Sequence, residues 1–201
     1  SGSSANYISI SILKVLNKNK YKNEIIVPTL TWISDISSII LNGFKPVFVD
    51  INLENLSMDI DQVLKKINRK TLGIFITHAQ GFNGLNDKLL KAINKHKLYL
   101  IEDVCESHGA TYKNKKLGTF GLMSNFSFYY AHHMTTIEGG MISTNHKEIY
   151  ELYKIFRSHG MARESKNQSY GKKLIKKFKN LSPQFIFLYP TLNFRNNEIG
   201  A

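Results

Sequence analysis

Short apolar runs alternate with longer stretches of helical period along most of this chain. Such alternation is typical of a mainly parallel sheet that is covered by helices on both faces. The predicted strands are residues 24–30, 46–50, 72–77, 98–102, 124–130 and 140–143. The predicted helices are residues 4–16, 32–41, 57–67, 86–96 and 146–159. The pattern therefore predicts an α/β fold class, with a mainly parallel sheet flanked by helices.

The last third of the chain has a weaker pattern. Residues 161–181 are polar and basic, which predicts a loop with one short helix, and ordered structure is expected to return around Phe185. Residues 197–201 resemble the opening of another helix. The chain begins at Ser1-Gly2-Ser3 without an initiator methionine or a signal sequence. We therefore expect the chain to be a fragment at both ends.

Composition narrows the class of protein. A chain of 201 residues with 42% hydrophobic residues can bury the core of one domain. The net charge is +12, but the lysines are scattered and lack interleaved aromatic residues, so nucleic acid is not an expected partner. No apolar run approaches the roughly 18 residues that cross a bilayer, so no membrane is expected either. Because Cys105 is the single cysteine, it cannot form an internal disulfide, and a cytoplasmic location is predicted.

Candidate chemistry lies where strands end, since open α/β sheets bind ligands beyond the carboxyl ends of their strands. The opening Gly2-Ser3-Ser4 places free N–H groups and hydroxyls at a helix start. This arrangement is either a phosphate cradle or a simple helix cap. Asp103 and Glu106 follow an apolar strand. They are either functional carboxylates, for which a pyridinium nitrogen is an apt partner, or caps of the next turn.

The segment 125–140 combines several unusual residues. A strand that contains Ser127 runs into His132 and His133 and then into a glycine pair that permits a tight turn. Neutral imidazoles can move protons there, although isolated histidines more often have structural roles. No metal site is predicted, because a third ligand is not evident. Near the end of the chain, Arg195 beside Asn193 is a candidate for gripping phosphate.

Taken together, these segments resemble the DegT/DnrJ/EryC1/StrS family of sugar aminotransferases and dehydratases. The resemblance covers nearly the whole chain and implies the large domain of a pyridoxal-phosphate enzyme of the aspartate-aminotransferase type, over residues 1–201. It also implies that an N-terminal segment and a C-terminal small domain are missing from this chain. The landmarks occur in family order at residues 1–6, 27–32, 45–50, 102–110, 117–121, 126–129, 135–140 and 193–199.

The resemblance implies a role for each matching position. Gly2 and Ser3 would bind the phosphate of pyridoxal or pyridoxamine phosphate, and Ser127 would add a hydroxyl. Trp32 would stack on the pyridine ring, and Asp103 would pair with the ring nitrogen.

Two further positions complete the implied site. Glu106 would lie near the 3-hydroxyl of the cofactor ring. Asn193, with Arg195, would reach into the site of a neighbouring subunit, because members of this family are homodimers with shared active sites.

One position departs from most family members. Where they carry the lysine that binds the cofactor covalently, this sequence has His132, and no lysine lies between Lys116 and Lys147. Imidazole cannot form that link, so the cofactor would be held non-covalently and His132 would serve as acid and base. The same replacement occurs in sugar-nucleotide 3-dehydratases.

The implied reaction is the removal of the 3-hydroxyl from a nucleotide-linked 4-keto-6-deoxyhexose, with an amino acid such as glutamate as amine donor. The implied context is deoxysugar formation for lipopolysaccharide O-antigen. Cys105 has no cysteine after it, so the iron–sulfur cluster of some relatives is not expected. Two alternatives stay open, a nucleotide-sugar aminotransferase and a non-catalytic binding protein that keeps the fold.

Overall fold

A computed structural model describes residues 1–165, 171–172 and 176–198. The chain divides into two compact units, Ser1–Ser143 and Thr144–Ala201. The strands are β1 (Glu24–Pro28), β2 (Lys45–Val49), β3 (Thr71–Thr77), β4 (Tyr99–Asp103), β5 (Thr111–Tyr112), β6 (Lys115–Lys116), β7 (Met123–Ser127) and β8 (Gly140–Ser143). The helices are α1 (Gly2–Leu16), α2 (Ile33–Leu41), α3 (Ile60–Lys66), α4 (Asp87–His96) and α5 (Lys147–Phe156).

The first unit contains a six-stranded sheet in the order β2-β1-β3-β4-β7-β8. The first five of these strands are parallel, and β8 runs antiparallel to β7. The predicted α/β fold class and mainly parallel sheet are therefore confirmed. Since the carboxyl ends of β1, β3, β4 and β7 lie at one edge, the residues that follow these strands are brought together there.

The two faces of the sheet carry separate layers of the core. Ile74 and Ile76 of β3 belong to a buried cluster that also contains Val63 of α3 and Leu89 of α4. Thr77, one residue further along, points to the opposite face and contacts α2. Side chains alternate between faces along a strand, so the polar ends of the strands that face α1 and α2 share one layer.

Two sequence predictions in this unit need correction. The strand predicted at 124–130 ends at Ser127, because the backbone of Phe128 bonds to Gly139 and closes a turn instead. The glycine pair was predicted to permit a tight turn, but the left-handed residue of this turn is Ile137, with φ 67°. Gly140 is required for another reason, since a Cβ there would collide with the Ser1 carbonyl.

The hairpin of β5 and β6 was not among the elements predicted from the sequence. Its two connecting residues, Lys113 and Asn114, both have positive φ, at 49° and 61°. Two consecutive residues with positive φ form a type I′ turn, whose twist matches that of the two strands it joins. Lys-Asn is a weaker sequence signal for this turn than Asn-Gly.

The second unit contains α5, which ends at Phe156 rather than at the predicted residue 159. Short 3-10 turns follow at Ala162–Glu164 and Pro183–Phe185. The loop predicted at 161–181 and the helix start predicted at 197–201 lie partly outside the described residues. Among the described residues, no helix has the length and apolar character that a membrane span needs.

A buried carboxylate on β4 ties two loops to the sheet. Glu102 has no solvent exposure and accepts a hydrogen bond from His78 Nε2 at 3.2 Å. Its oxygens also accept from the backbone N–H groups of Gly118, Phe120 and Gly121, at 2.6–2.9 Å. Burial by itself raises the pKa of Glu102, but the bonds from His78 and from the backbone lower that pKa overall. The charged form of Glu102 is therefore favoured by folding.

Replacing Glu102 by glutamine should lower the free energy of unfolding by about 3 kcal/mol near neutral pH, because an amide group would then face backbone N–H donors. The native pKa of Glu102 is lowered, so its contribution is complete above the unfolded value of about 4.3 and is lost as the pH falls through the native value. Urea unfolding of both proteins over a pH series measures the difference. Glu54→Gln, at an exposed position, is the matched control. A constant difference at all pH values would contradict this assignment.

Candidate active site

The first feature of the site is the N-terminus of α1. Ser1 caps the helix, since its Oγ accepts from the Ser4 backbone N–H at 3.2 Å. Gly2 is buried, and a Cβ there would lie 2.7 Å from Ser127 Cβ and 3.0 Å from Cys105 Sγ. The start of α1, the end of β7 and the turn after β4 therefore meet at Gly2. The positive end of the helix dipole thus lies beside the Ser127 hydroxyl, an arrangement that suits a phosphate.

The second feature is Asp103, the last residue of β4, whose exposure is only 4%. Its Oδ1 accepts from the Cys105 backbone N–H at 2.9 Å, so it does cap the following turn. Its Oδ2 faces Nδ2 of Asn6 on α1 at 3.2 Å. In the described part of the chain, no basic side chain forms an ion pair with Asp103. A buried carboxylate without a cation is costly, so the site fits a ligand that brings a positively charged N–H group.

Asn6 and Asn125 link the Asp103 carboxylate to Ser9 of α1 through hydrogen bonds. Asn125 of β7 donates from Nδ2 to Asn6 Oδ1 at 2.8 Å, and Ser9 donates to Asn125 Oδ1 at 2.6 Å. These bonds fix the Asn6 amide with its NH2 group toward Asp103. Neither asparagine was predicted from the sequence. The available signal was a polar residue on the apolar, buried face of α1.

Asp35 of α2 was also missed. It is fully buried and accepts from Asn6 Nδ2 at 2.5 Å. Burial, followed by the negative charge of Asp103, raises the pKa of Asp35 well above its ordinary value. The available signal was a charged residue among apolar neighbours in a short helix.

Two further predicted site residues lie on the segments after β1 and β4. Trp32 immediately precedes α2 and is 68% exposed. The exposed ring leaves an aromatic face free to stack. Glu106 lies in the turn after Asp103, where its Oε2 accepts from the backbone N–H of Gln80 at 2.9 Å.

Three histidines gather beyond the end of β7. His132 is half-buried, with its ring 6.1 Å from the Tyr129 ring. The rings of His133 and His108 are 5.8 Å apart, and neither ring nitrogen of His108 has a hydrogen-bond partner. Burial, then His133 and His132, lower the pKa of His108. Within the described ranges, no three His, Cys, Asp or Glu side chains are grouped as a metal site.

Asn193 and Arg195 belong to the second unit. Asn193 Oδ1 accepts from both the backbone N–H and Nε of Arg195, each at 3.1 Å. These two residues therefore contact each other, and their predicted role in a neighbouring subunit's site stays a prediction.

Comparison with known proteins adds to this geometry. The model of the DegT/DnrJ/EryC1/StrS aminotransferase family matches residues 1–201. GDP-4-keto-6-deoxy-D-mannose 3-dehydratase from Escherichia coli O55:H7 is 37% identical over 205 residues, covering 100% of this chain and 52% of that protein. The Yersinia pseudotuberculosis enzyme of the same name is 34% identical, with 100% and 51% covered. The chain thus spans about half the length of these curated relatives.

Solved structures lead to the same group of proteins. A mutant of GDP-4-keto-6-deoxymannose-3-dehydratase with bound GDP-perosamine superimposes with a TM-score of 0.86 at 34% identity, covering 100% of this chain and 52% of that one. The same kind of dehydratase with a trapped PLP-glutamate geminal diamine gives a TM-score of 0.84 at 32% identity, with the same coverage.

Proposed function

The chain belongs to the DegT/DnrJ/EryC1/StrS aminotransferase family, and from this premise we propose that it is the cofactor-binding large domain, residues 1–201, of a sugar-nucleotide 3-dehydratase. The proposed substrate is a nucleotide-linked 4-keto-6-deoxyhexose. The nucleotide we favour is GDP, because the relatives matched over the whole chain act on GDP-4-keto-6-deoxy-D-mannose.

The main observation in support of this proposal is the histidine at position 132. Most family members have the covalent cofactor-binding lysine at this position, whereas this chain has an imidazole and no lysine from residue 117 to residue 146. An aminotransferase of this type needs the lysine amine to complete its cycle. A histidine can transfer protons but cannot form that covalent link, so loss of the 3-hydroxyl is favoured over amino transfer.

The residues present fit pyridoxamine or pyridoxal phosphate. The N-terminus of α1 with Gly2 and Ser3, together with Ser127, would hold the phosphate, and Trp32 would cover the ring. Asp103 has no cationic partner in the described ranges and would receive the ring N–H. The support for this assignment is the collision that any Cβ at Gly2 would cause and the burial of Asp103.

When bound, the cofactor supplies an amine for the keto group and a ring that accepts electrons from the reacting carbon. The protein residues bind and orient it. Glu106 would lie beside its 3-hydroxyl, and the half-buried His132 would exchange a proton at a ring nitrogen and return it to the departing hydroxyl of the sugar.

The proposed partners follow from the same reaction. Glutamate is the proposed amine donor, supported by the glutamate adduct trapped in a related dehydratase. We propose a homodimer in which Asn193 reaches the partner's site, and a cytoplasmic location, which is supported by the single unpaired Cys105. The proposed context is deoxysugar formation for lipopolysaccharide, since a relative 34% identical over 165 residues is lipopolysaccharide biosynthesis protein RfbH of Salmonella typhimurium.

A nucleotide-sugar aminotransferase is the second candidate. It is favoured by GDP-perosamine synthase from Escherichia coli O157:H7, which is 38% identical over 140 residues, or 70% of this chain. The two reactions differ in the fate of the oxygen at C3.

Mass analysis of the product tests the proposal. Full-length protein is incubated with pyridoxal phosphate, glutamate and GDP-4-keto-6-deoxymannose. The expected product is one oxygen atom lighter than the substrate and keeps its keto group, while glutamate becomes 2-oxoglutarate and ammonia is released. A 4-amino sugar that retains its C3 oxygen would reject the dehydratase in favour of the aminotransferase. An absorbance titration that shows no binding of pyridoxal phosphate would reject both.

A further inference from the structure

One carboxyl oxygen of Asp35 forms a triangle with two threonine hydroxyl oxygens. Its Oδ2 is 2.5 Å from Thr31 Oγ1 and 2.8 Å from Thr77 Oγ1, and the two hydroxyl oxygens are 2.6 Å apart. Oxygen atoms this close are joined by a hydrogen bond. The two threonines supply only two protons for three contacts. A third proton on the Asp35 carboxyl gives each contact one proton.

The other oxygen of Asp35 leads directly to the candidate active site. Asn6 Nδ2 lies 2.5 Å from Asp35 Oδ1, 3.2 Å from Asp103 Oδ2 and 3.0 Å from Ser34 Oγ. The amide has two N–H bonds, and its oxygen is already held by Asn125. Asn6 is thus shared between the two carboxyl groups, and its orientation depends on both.

The surroundings of Asp35 favour its neutral form. It is fully buried, and burial followed by the adjacent Asp103 charge raises its pKa. The Asn6 amide of α1 and the Thr77 hydroxyl of β3 contact it, and both of these groups are neutral. The nearby Cys105 thiol is also neutral, because burial and then Asp103 raise its pKa. Two carboxylates this close cannot both be ionised at low cost.

We propose that Asp35 is a positioning residue, which as a neutral carboxylic acid holds Asn6 toward Asp103 and leaves Asp103 as the single negative charge facing the ring nitrogen of the cofactor. The part that concerns the cofactor rests on the proposed function. The proton on Asp35 does not, since the oxygen contacts and the burial of Asp35 support it without any cofactor.

Infrared spectroscopy tests the proton without any cofactor. The full-length protein should show the carbonyl stretch of a protonated carboxylic acid near neutral pH, and the Asp35→Asn variant should lack it. Asp61→Asn is the matched control, because Asp61 is exposed and paired with Lys88, so the band should persist. Absence of the band in the parent protein, or its persistence in Asp35→Asn, would overturn the proposal.

Titration with pyridoxal phosphate tests the positioning role. Asp35→Asn keeps a neutral amide in the same place and should change the dissociation constant by no more than about twofold. Asp35→Ala removes one hydrogen-bond partner from Asn6 and from each of the two threonines and should weaken binding about tenfold. Equal losses in both variants would overturn the role of the neutral acid.

The pH dependence of the bound cofactor separates positioning from simple structural support. As the pH rises through the Asp35 pKa, the parent protein gains a second negative charge beside the ring nitrogen, and the absorbance of bound pyridoxal phosphate should shift. The shift should be missing in Asp35→Asn, which cannot ionise, and its presence there would overturn the proposal. If the parent protein binds no pyridoxal phosphate, the proposed function fails, whereas the infrared result still decides whether Asp35 carries the proton. If Asp35→Ala does not fold, the Asp35→Asn measurements decide alone.

Discussion

Replacing Asp103 by asparagine is expected to lower the turnover of the full-length enzyme by about 10²- to 10⁴-fold. Removing one partner of a buried charge pair costs about 3–5 kcal/mol, which corresponds to that range. Asp103 is 4% exposed, and its carboxylate is held by Asn6 and by the Cys105 backbone. An asparagine keeps the shape but offers no negative charge to keep the ring nitrogen protonated.

The measurement is kcat/KM for the sugar nucleotide, together with the absorbance of bound pyridoxal phosphate. Both should change in Asp103→Asn. Asp61→Asn, on the surface of α3, serves as the control and should retain full turnover. Turnover of Asp103→Asn within threefold of the parent protein would show that the ring nitrogen does not depend on this carboxylate.

Replacing His132 by asparagine is expected to lower the dehydration rate by about 10²- to 10⁴-fold, the usual contribution of a positioned general acid or base. His132 is half-buried in the turn after β7, where its backbone N–H donates to the Tyr129 carbonyl. An asparagine fits this turn but does not exchange protons near neutral pH. The affinity for pyridoxal phosphate should therefore stay within about threefold, since the phosphate and ring contacts are unchanged.

A lysine at the same position provides the complementary result. His132→Lys should bind pyridoxal phosphate covalently, so borohydride reduction should leave an adduct that survives denaturation. The parent protein should show no such adduct. His96→Asn, at the exposed end of α4, is the control and should match the parent protein in rate and in cofactor binding. A covalent adduct in the parent protein would mean that another amine reaches the cofactor, and the proposed role of His132 would be wrong.

Most of the fold could be predicted because its signals are local. The β-branched run of β3 and the cap of α4 at Asn86 each lie within a few residues, and both predicted elements occur within one residue of their observed bounds. The end of β7 was placed three residues too late. The aromatic residues after Ser127 continue the strand pattern, but their backbone pairs with Gly139 across the turn, which a local pattern does not show.

The candidate site was predictable only in part. Asp103 and Gly2 could be proposed because Asp103 ends a strand and Gly2 begins a helix. Ligands of open α/β sheets bind beyond the carboxyl ends of the strands, so these positions are recognisable from the sequence. Glu102 was not proposed for any role, yet the structure buries it completely as the acceptor for His78 and the 118–121 loop. Asp103, the next residue of β4, faces the candidate site instead, because successive side chains on a strand point to opposite faces.

The sequence by itself determined the order of strands and helices, the parallel character of the sheet and the candidate residues at strand ends, because periodicity, caps and turn residues act over short distances. Only the tertiary structure decided that Asn6 meets Asn125, 119 positions later, and that Asp35 shares Asn6 with Asp103. Such contacts depend on how each helix is rotated against the sheet and on the register between strands. Both are set by the packing of the whole core, so no local pattern could place the proton of Asp35 beside the carboxylate of Asp103.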